Sequence, residues 1–438
     1  MSAVSALRRS PHDREIFRLA VLALGALAAQ PLFTLTDTAI VGHLGTSQLA
    51  ALGIAGVVLG GVFAIFNFLA YGTTSQVTRA AGAGARETAD RLGAQAFWLS
   101  FGIGCVVALA LELFAVQAVA LMGGEGETAD HAVTYLRIAV IGLPFAFLVL
   151  GGQGYFRGIS DLRTPLVIEG AANALNVVLV VLFVYGFGWG IAGSAAGTAI
   201  AQACMGLAFL ARMLRATHGR FRFRFDLLRR LLGVGKHLFV RTAALYVSFL
   251  VAGAVAARFG DESIGAHQIA FQLWVFLALL LDGIAIAGQV IVGRMLGAGD
   301  ADGAFAASAR MIVLTVYLGV AFAGVMLVFE GQLPRIFTSD EAVIAEAREL
   351  WPIFALMQPL NGAVFALDGI LIGAGDARYL MWSMLASMAA AVAVALAALA
   401  YDWGIVGVWL ALLVLICVRL TTLGARFSRR RWLVTGWA

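Results

Sequence analysis

The sequence predicts an all-α polytopic membrane protein, with twelve transmembrane helices in two pseudo-symmetric six-helix bundles. Three observations support this fold class: the composition, the spacing of the apolar runs and an internal repeat. The 438-residue chain is 61% hydrophobic and only 13% charged, with a mean hydropathy of +0.92. Soluble domains have roughly 45–50% apolar and about 25% charged residues. A chain of this composition is therefore expected to fold in lipid.

Apolar runs recur along the whole chain, and each is long enough to cross a hydrocarbon core of roughly 30 Å. We place these spans at 16–40, 49–73, 91–116, 131–156, 165–186, 191–214, 236–258, 263–292, 305–329, 342–372, 377–400 and 403–425. With the N-terminus inside, arginines concentrate in the inner segments and in the tail RFSRRRW, whereas the outer segments are acidic. The positive-inside rule then predicts a multi-pass protein of the cell (inner or plasma) membrane with both termini cytoplasmic.

The two halves of the chain resemble each other at an offset of 215 residues. The segment VTRAAGAGARETAD (77–90) aligns with VGRMLGAGDADGAF (292–305), and the same offset places Gly154 on Gly369. A constant offset over long stretches indicates an internal duplication. Each half holds six predicted spans, so both halves enter the membrane in the same orientation.

The repeat also predicts the domain organisation. We expect an N-terminal six-helix lobe at 1–215, a basic cytoplasmic linker at 216–235 and a C-terminal six-helix lobe at 236–438. Two repeated halves with a pathway between them are typical of secondary transporters, which work by rocking one half against the other.

Several function classes are disfavoured by the sequence. It contains no motif for nucleotide hydrolysis, serine hydrolysis or zinc proteolysis. The three cysteines lie in apolar runs without metal-ligand spacing. We therefore expect neither catalysis nor a cofactor or metal. The net charge of +5 follows from the membrane topology, so no nucleic-acid partner is needed. The basic linker is expected to contact anionic lipid, and the protein is expected to be a monomer.

The first span carries an aspartate, Asp37, in the stretch QPLFTLTDTAIVGHLG, with Pro31 and Thr34 close by. A carboxylate in a membrane helix costs roughly 2.5–3.5 kcal/mol on insertion scales and marks a functional site by default. Desolvation favours the neutral form of a carboxylic acid, and the nearby proline allows a helix bend. We interpret Asp37 as the residue that carries the coupling ion. The alternative is a hydrogen-bonded link between helices.

Polar residues on the fifth and sixth spans could surround this aspartate. Asn173 and Asn176 lie three residues apart and share a helix face, and Thr198 and Gln202 lie four apart on the next helix. A short connection makes these helices neighbours. Together with Asp37 they could line one cavity in the N-terminal half. Hydrogen bonding between helices is the alternative.

Other intramembrane acids are less informative. Asp282 and Asp368 in the C-terminal half each precede a glycine, and either could line a second cavity or serve packing. We expect structural roles for Glu112, which can reach interfacial water, and for Glu169, which would complement the N-terminus of the fifth span.

The motifs as a set resemble those of the multidrug and toxic compound extrusion (MATE) family. The resemblance rests on PLFTLTDTAIVGHLG, GIAIAGQVIVGRMLGAGD and GILIGAGDAR within a plan of two groups of six spans, and it is closest to the DinF-like branch. It implies cation-coupled efflux, usually driven by protons in this branch, of amphipathic organic cations.

The resemblance also implies an ion site. The family's aspartate on the first helix falls on Asp37, its asparagine on the fifth on Asn176 and its threonine on the sixth on Thr198. Many members have a second aspartate one turn after that asparagine, but this chain has Val180 there, so Asp37 carries more of the coupling. Members that bind sodium in the C-terminal half use a glutamate on the seventh helix, and span seven has no acidic residue here.

The leading hypothesis is proton-coupled antiport by alternating access, with Asp37 as the coupling carboxylate. Candidates for the substrate cavity are Pro31, Thr34, Asn173, Gln202, Asp282 and Asp368. Sodium-coupled efflux is one alternative. A lipid-precursor flippase is another, but it would need a strongly basic cavity, and almost no arginine is expected at mid-membrane depth. A non-transporting membrane scaffold is least expected, because it would not explain the intramembrane carboxylates.

Overall fold

The computed structural model describes residues 11–217 and 221–437 of the chain. Its regular structure is helical throughout this part. The helices are α1 Asp13–Gly42, α2 Thr46–Phe66, α3 Phe68–Gly82, α4 Arg86–Leu121, α5 Gly126–Gly158, α6 Arg163–Val181, α7 Gly190–Ala216, α8 Phe225–Arg258, α9 Asp261–Gly297, α10 Ala301–Val328, α11 Leu333–Phe337, α12 Glu341–Leu356, α13 Gln358–Gly373, α14 Ala377–Ala400 and α15 Gly404–Ser428. A π-helical turn, Leu182–Gly186, continues α6.

Within the described residues, ten helical stretches are long and apolar enough to cross a membrane. One of them joins α2 and α3 into a single stretch, Thr46–Gly82. The pair α12 and α13, bent by 48°, gives an eleventh span. Helix α1, with 30 residues, occupies the position of the first predicted span. The predicted all-α polytopic fold is confirmed.

The chain forms two compact units. One is Gly25–Gly235, and the other combines the chain up to Leu24 with Lys236–Ala438. We call them the N-unit and the C-unit. The C-unit thus includes the beginning of α1, which the sequence assigned to the N-terminal lobe. Part of the predicted linker is also helical, because α8 already begins at Phe225.

Ion pairs explain why the beginning of α1 belongs to the C-unit. The Asp13 carboxylate accepts hydrogen bonds from the Arg310 guanidinium, the shortest at 2.7 Å. The Glu15 carboxylate accepts one from Arg294 Nη2, also at 2.7 Å. Both acids lie in the first turn of α1, where negative charge also complements the helix N-terminus.

Close glycine contacts recur at equivalent places in the two units. A methyl group placed on Gly154 would lie 2.8 Å from the Ala70 carbonyl oxygen, and one on Gly369 would lie 2.3 Å from the Ala285 carbonyl oxygen. Both contacts bring a helix backbone against a neighbouring helix, as is common where small residues pack in membranes. A second pair of contacts is related by the same offset: Gly104 packs against Pro144, and Gly319 packs against Pro359. The duplicated sequence therefore corresponds to duplicated packing.

Substitution of Gly369 by alanine should destabilise the protein by roughly 1–3 kcal/mol, the usual cost of overpacking. The obstacle is backbone, which cannot rotate away as a flexible side chain could. The measurement is the thermal unfolding midpoint of the purified protein in detergent. Gly324→Ala in α10 is the matched control, because nothing lies within 4 Å of its added methyl group. An equal midpoint for the two variants would contradict the close packing.

Candidate ion-coupling and substrate site

Asp37 lies near the end of α1, with only 4% of its surface exposed. The Ser194 hydroxyl on α7 donates a hydrogen bond to Asp37 Oδ1 at 2.7 Å. The Tyr135 hydroxyl on α5 donates a longer bond to Asp37 Oδ2 at 3.5 Å. Both carboxylate oxygens are thus held by hydroxyl groups rather than by cations.

The network extends from Asp37 to α6. The Tyr135 hydroxyl also interacts with the hydroxyls of Ser194 and Thr198. In turn, Asn176 Nδ2 donates to Thr198 Oγ1 at 3.2 Å. All five side chains are buried. The structure therefore brings Asp37, Asn176 and Thr198 into one network, in which Tyr135 connects Asp37 with the other two.

Two members of this network were not named from the sequence. Ser194 lies four residues before Thr198 and so occupies the same face of α7, a signal that the helical period could have revealed. Tyr135 offers no such signal, because its polar neighbours on α5, His131, Thr134 and Arg137, do not indicate that it faces Asp37. Only the packing of α5 against α7 shows that it belongs to the site.

Apolar residues pack beside the network at the position where many family members have a second aspartate. Val180 is fully buried, in a cluster with Ile40 and Val184. The π-helical turn after α6 fixes this region, because the Tyr185 hydroxyl donates to the Ile40 carbonyl oxygen at 3.0 Å. Among the five side chains of the network, Asp37 is the one acid.

The N-unit also contains a cavity of about 420 Å³, which we call the N-cavity. This volume is within the range of roughly 300–1,000 Å³ typical of small-molecule sites. Its described lining residues are Ala26, Leu27, Thr34, Gly60, Phe63, Ala64, Asn67, Ala146, Val149, Leu150, Gln153, Glu169, Asn173, Gln202 and Met205. The wall is mostly apolar, with several amides and one acid.

Three of the predicted cavity candidates, Thr34, Asn173 and Gln202, line the N-cavity. Asp37 is not a lining residue, but Thr34 precedes it by three positions on α1 and Asn173 precedes Asn176 by three on α6. The network is thus about one helical turn beyond the lining residues of these two helices. Pro31 is exposed and does not belong to the lining.

Glu169 has a different position from the one predicted. It lies six residues beyond Arg163, where α6 begins, so it is past the first turn and cannot complement the helix N-terminus. Its side chain is instead buried in the wall of the N-cavity. Gln153 Nε2 donates to Glu169 Oε1 at 2.7 Å. Glu112, in contrast, is exposed and lies 3.5 Å from the Arg137 guanidinium, in agreement with a peripheral role.

The C-unit holds a buried ionic cluster that the sequence did not reveal. Arg241 Nη2 on α8 donates to Asp368 Oδ2 at 2.7 Å, and Arg419 Nη2 on α15 donates to the same oxygen. All three side chains are buried. Arg241 lies five residues from the inner end of predicted span seven and Arg419 six residues from that of span twelve, so both are buried in the protein near the inner ends of their spans. The Asp368 carboxylate is paired with two guanidinium groups. Neither Asp368 nor the half-buried Asp282 lines the N-cavity.

A helical membrane fold with a buried carboxyl network beside a ligand-sized cavity defines the class of secondary transporters. Comparison with known proteins specifies the family. The MatE family model matches residues 23–182 and 238–399, well over half of the chain. The chain belongs to the MATE family. Members of this family export drugs and toxic compounds, and they are not enzymes.

Individual relatives agree with this assignment. Protein DETOXIFICATION 44, chloroplastic, of Arabidopsis thaliana is 30% identical over 435 residues, covering 95% of this chain and 82% of the relative. DNA damage-inducible protein F of Escherichia coli (strain K12) is 28% identical over 440 residues, covering 96% and 93%. The similarity to DNA damage-inducible protein F supports the assignment of this chain to the DinF-like branch.

Solved structures share the fold. A MOP superfamily transporter from Pyrococcus furiosus matches with a TM-score of 0.86 at 21% identity, covering 98% of this chain and 97% of that one. The Vibrio cholerae MATE transporter VcmN, in its bent form, also gives 0.86, at 20% identity and with 95% and 96% covered. These similarities confirm the architecture at a level of identity that carries no assignment of substrate.

Proposed function

We propose that this transporter exports amphipathic organic cations in exchange for protons, by alternating access, with Asp37 as the coupling carboxyl group. The observation that carries the proposal is the environment of Asp37. It is the one acid in a buried network whose other members are three hydroxyls and an amide.

This network suits a carboxyl group that changes its protonation state. A hydroxyl can act as either donor or acceptor. An ionised Asp37 can accept the hydrogen bonds that Ser194 and Tyr135 donate. When Asp37 is protonated, rotation of a hydroxyl would allow it to accept from the acid. Both states then retain hydrogen bonds inside the N-unit, so neither leaves a buried polar group without a partner.

Charge balance sets what the exchange can achieve. One proton moved inward for one monovalent cation moved outward transfers no net charge. The pH gradient alone then drives the cycle, at about 1.4 kcal/mol per pH unit. That free energy supports a roughly tenfold substrate gradient per pH unit. One carboxyl group is sufficient for this stoichiometry.

Reconstitution in liposomes tests the coupling ion. Ethidium transport should respond to an imposed pH gradient. It should not respond to a sodium gradient at uniform pH, nor to a potassium diffusion potential set with valinomycin. Protein-free liposomes provide the baseline for passive leakage. Transport driven by sodium at uniform pH would replace the proton with sodium as the coupling ion.

We further propose that the protein resides in the cell (inner or plasma) membrane as a monomer with both termini cytoplasmic, because arginines concentrate in the segments that this orientation places inside.

No specific feature favours a lipid-precursor flippase. The buried arginines Arg241 and Arg419 weaken one objection to it, but both are bound to Asp368, and neither lines the N-cavity.

A further inference from the structure

The N-cavity has a distinctive charge inventory. Among its described lining residues, Glu169 is the one with a formal charge. Four amide side chains accompany it: Asn67, Gln153, Asn173 and Gln202. Apart from the Thr34 hydroxyl, the remaining wall is apolar, with Phe63 as its aromatic member. An apolar cavity with one acid and several amides suits a ligand with one positive charge on an apolar body.

Neighbouring side chains hold Glu169 in the cavity wall. One carboxylate oxygen, Oε1, accepts from Gln153 Nε2 at 2.7 Å. Gln153 is itself oriented by Arg157, whose Nη2 donates to Gln153 Oε1 at 3.2 Å. Arg157 also interacts electrostatically with Glu169, through this amide rather than by a direct ion pair. Among the described residues, no group donates a hydrogen bond to the second oxygen, Oε2.

The position of Glu169 relates the cavity to the coupling network. Glu169, Asn173 and Asn176 follow each other at intervals of four and three residues on one face of α6. Glu169 and Asn173 line the cavity, whereas Asn176 belongs to the network of Asp37. Seven residues of helix, or about 10 Å along the axis, separate Glu169 from Asn176, so Glu169 lies in the cavity wall and not in the network of Asp37.

We propose that Glu169 is the residue that selects substrates by charge, as the counter-ion for the single positive group of a monovalent amphipathic cation. Asp37 then binds and releases the coupling ion, and Glu169 binds the substrate. This inference rests on the proposed function, because it assigns the substrate contact of the same transporter. A second positive charge would find no second acid among the described lining residues, so monovalent cations should bind better than divalent ones.

Binding of tritiated tetraphenylphosphonium to the purified protein tests the proposal. Glu169→Gln should weaken binding of this monovalent cation at least tenfold. An uncharged competitor, triphenylphosphine oxide, should compete no worse than in the wild type. This pair of probes separates charge selection from a structural role, which would weaken both ligands together. Glu112→Gln removes the same charge from an exposed site of the N-unit and should bind as the wild type does.

Asp37→Asn distinguishes failure of this inference from failure of the proposed function. That variant should keep cation binding but lose coupled transport, so the two roles are tested separately. If Glu169→Gln does not fold, Gly60→Leu serves instead. Gly60 lines the cavity and has no atom within 4 Å of an added Cβ, so the larger side chain should occupy part of the cavity and weaken binding while Glu169 remains.

Three results would overturn the inference. They are wild-type affinity in Glu169→Gln, equal weakening of the charged and uncharged probes, and no detectable cation binding by the wild type. Unchanged affinity in a folded Gly60→Leu variant would likewise show that the cation binds elsewhere.

Discussion

Asp37→Asn should abolish proton-driven efflux while leaving the protein folded. Asparagine has almost the same shape as aspartate, and its oxygen can still accept a hydrogen bond from Ser194, which now reaches Oδ1 at 2.7 Å. It cannot take up or release a proton. In liposomes with an imposed pH gradient, the steady-state ethidium ratio should fall from roughly tenfold per pH unit to the value of protein-free vesicles.

The control for Asp37→Asn is Asp130→Asn, which makes the same chemical change at an exposed position of α5. This variant should transport normally. Thermal unfolding of both variants near the wild-type midpoint would show that the loss of transport does not reflect misfolding. Normal pH-driven efflux by Asp37→Asn would remove Asp37 from the mechanism.

The second large effect concerns stability. Asp368→Asn should destabilise the C-unit by roughly 3–5 kcal/mol, the cost of breaking a buried ion pair by removal of one partner. The variant would leave the guanidinium groups of Arg241 and Arg419 beside a neutral amide. We expect a much lower unfolding midpoint in detergent and a lower yield of monodisperse protein.

Two further variants serve as controls for Asp368→Asn. Glu341→Gln breaks the exposed pair with Arg335, and surface pairs contribute only about 0–1 kcal/mol. The triple variant Arg241→Met, Asp368→Leu and Arg419→Met removes all three charges together, and apolar replacement of a buried ionic cluster is often neutral or stabilising. It should regain much of the lost stability. If Asp368→Asn has the same unfolding midpoint as the wild type, the cluster does not stabilise the C-unit.

Much of the fold could be predicted from the sequence, because a membrane restricts the choice of structure. Every backbone polar group must find a partner inside the lipid, so long apolar runs become helices. The internal offset then predicts equivalent contacts, and the paired glycines Gly154 and Gly369 show them. That the start of α1 groups with the C-unit was not predictable, because it depends on ion pairs of Asp13 and Glu15 with residues almost 300 positions away.

The candidate site was predictable where helical spacing or family resemblance carried the signal. Asp37, Asn176 and Thr198 were named in this way, and the structure places them together. Tyr135 was missed because one tyrosine in an apolar helix gives no indication of its partner. The cavity position of Glu169 was not predictable, because its distance from the start of α6 says nothing about the cavity that α6 faces.

The buried arginines were missed for a related reason. An arginine near the end of a predicted span is normally taken as a topological signal, and Arg241 lies only five residues after the predicted start of span seven. Its burial depends on Asp368, which lies 127 positions away in the chain. Contacts over such separations arise from tertiary packing, and no local pattern indicates them.

The duplication behind the paired glycines has a consequence for how the two copies diverged. The position equivalent to Asp37 in the second copy is Ala252, and the position equivalent to Gln153 is Asp368. The acid of the first copy is thus hydrogen-bonded by hydroxyl groups, whereas the acid of the second copy is bound by two arginines. The two halves therefore differ in chemistry at these positions, and a chimera built from two copies of either half would lack one of the two arrangements.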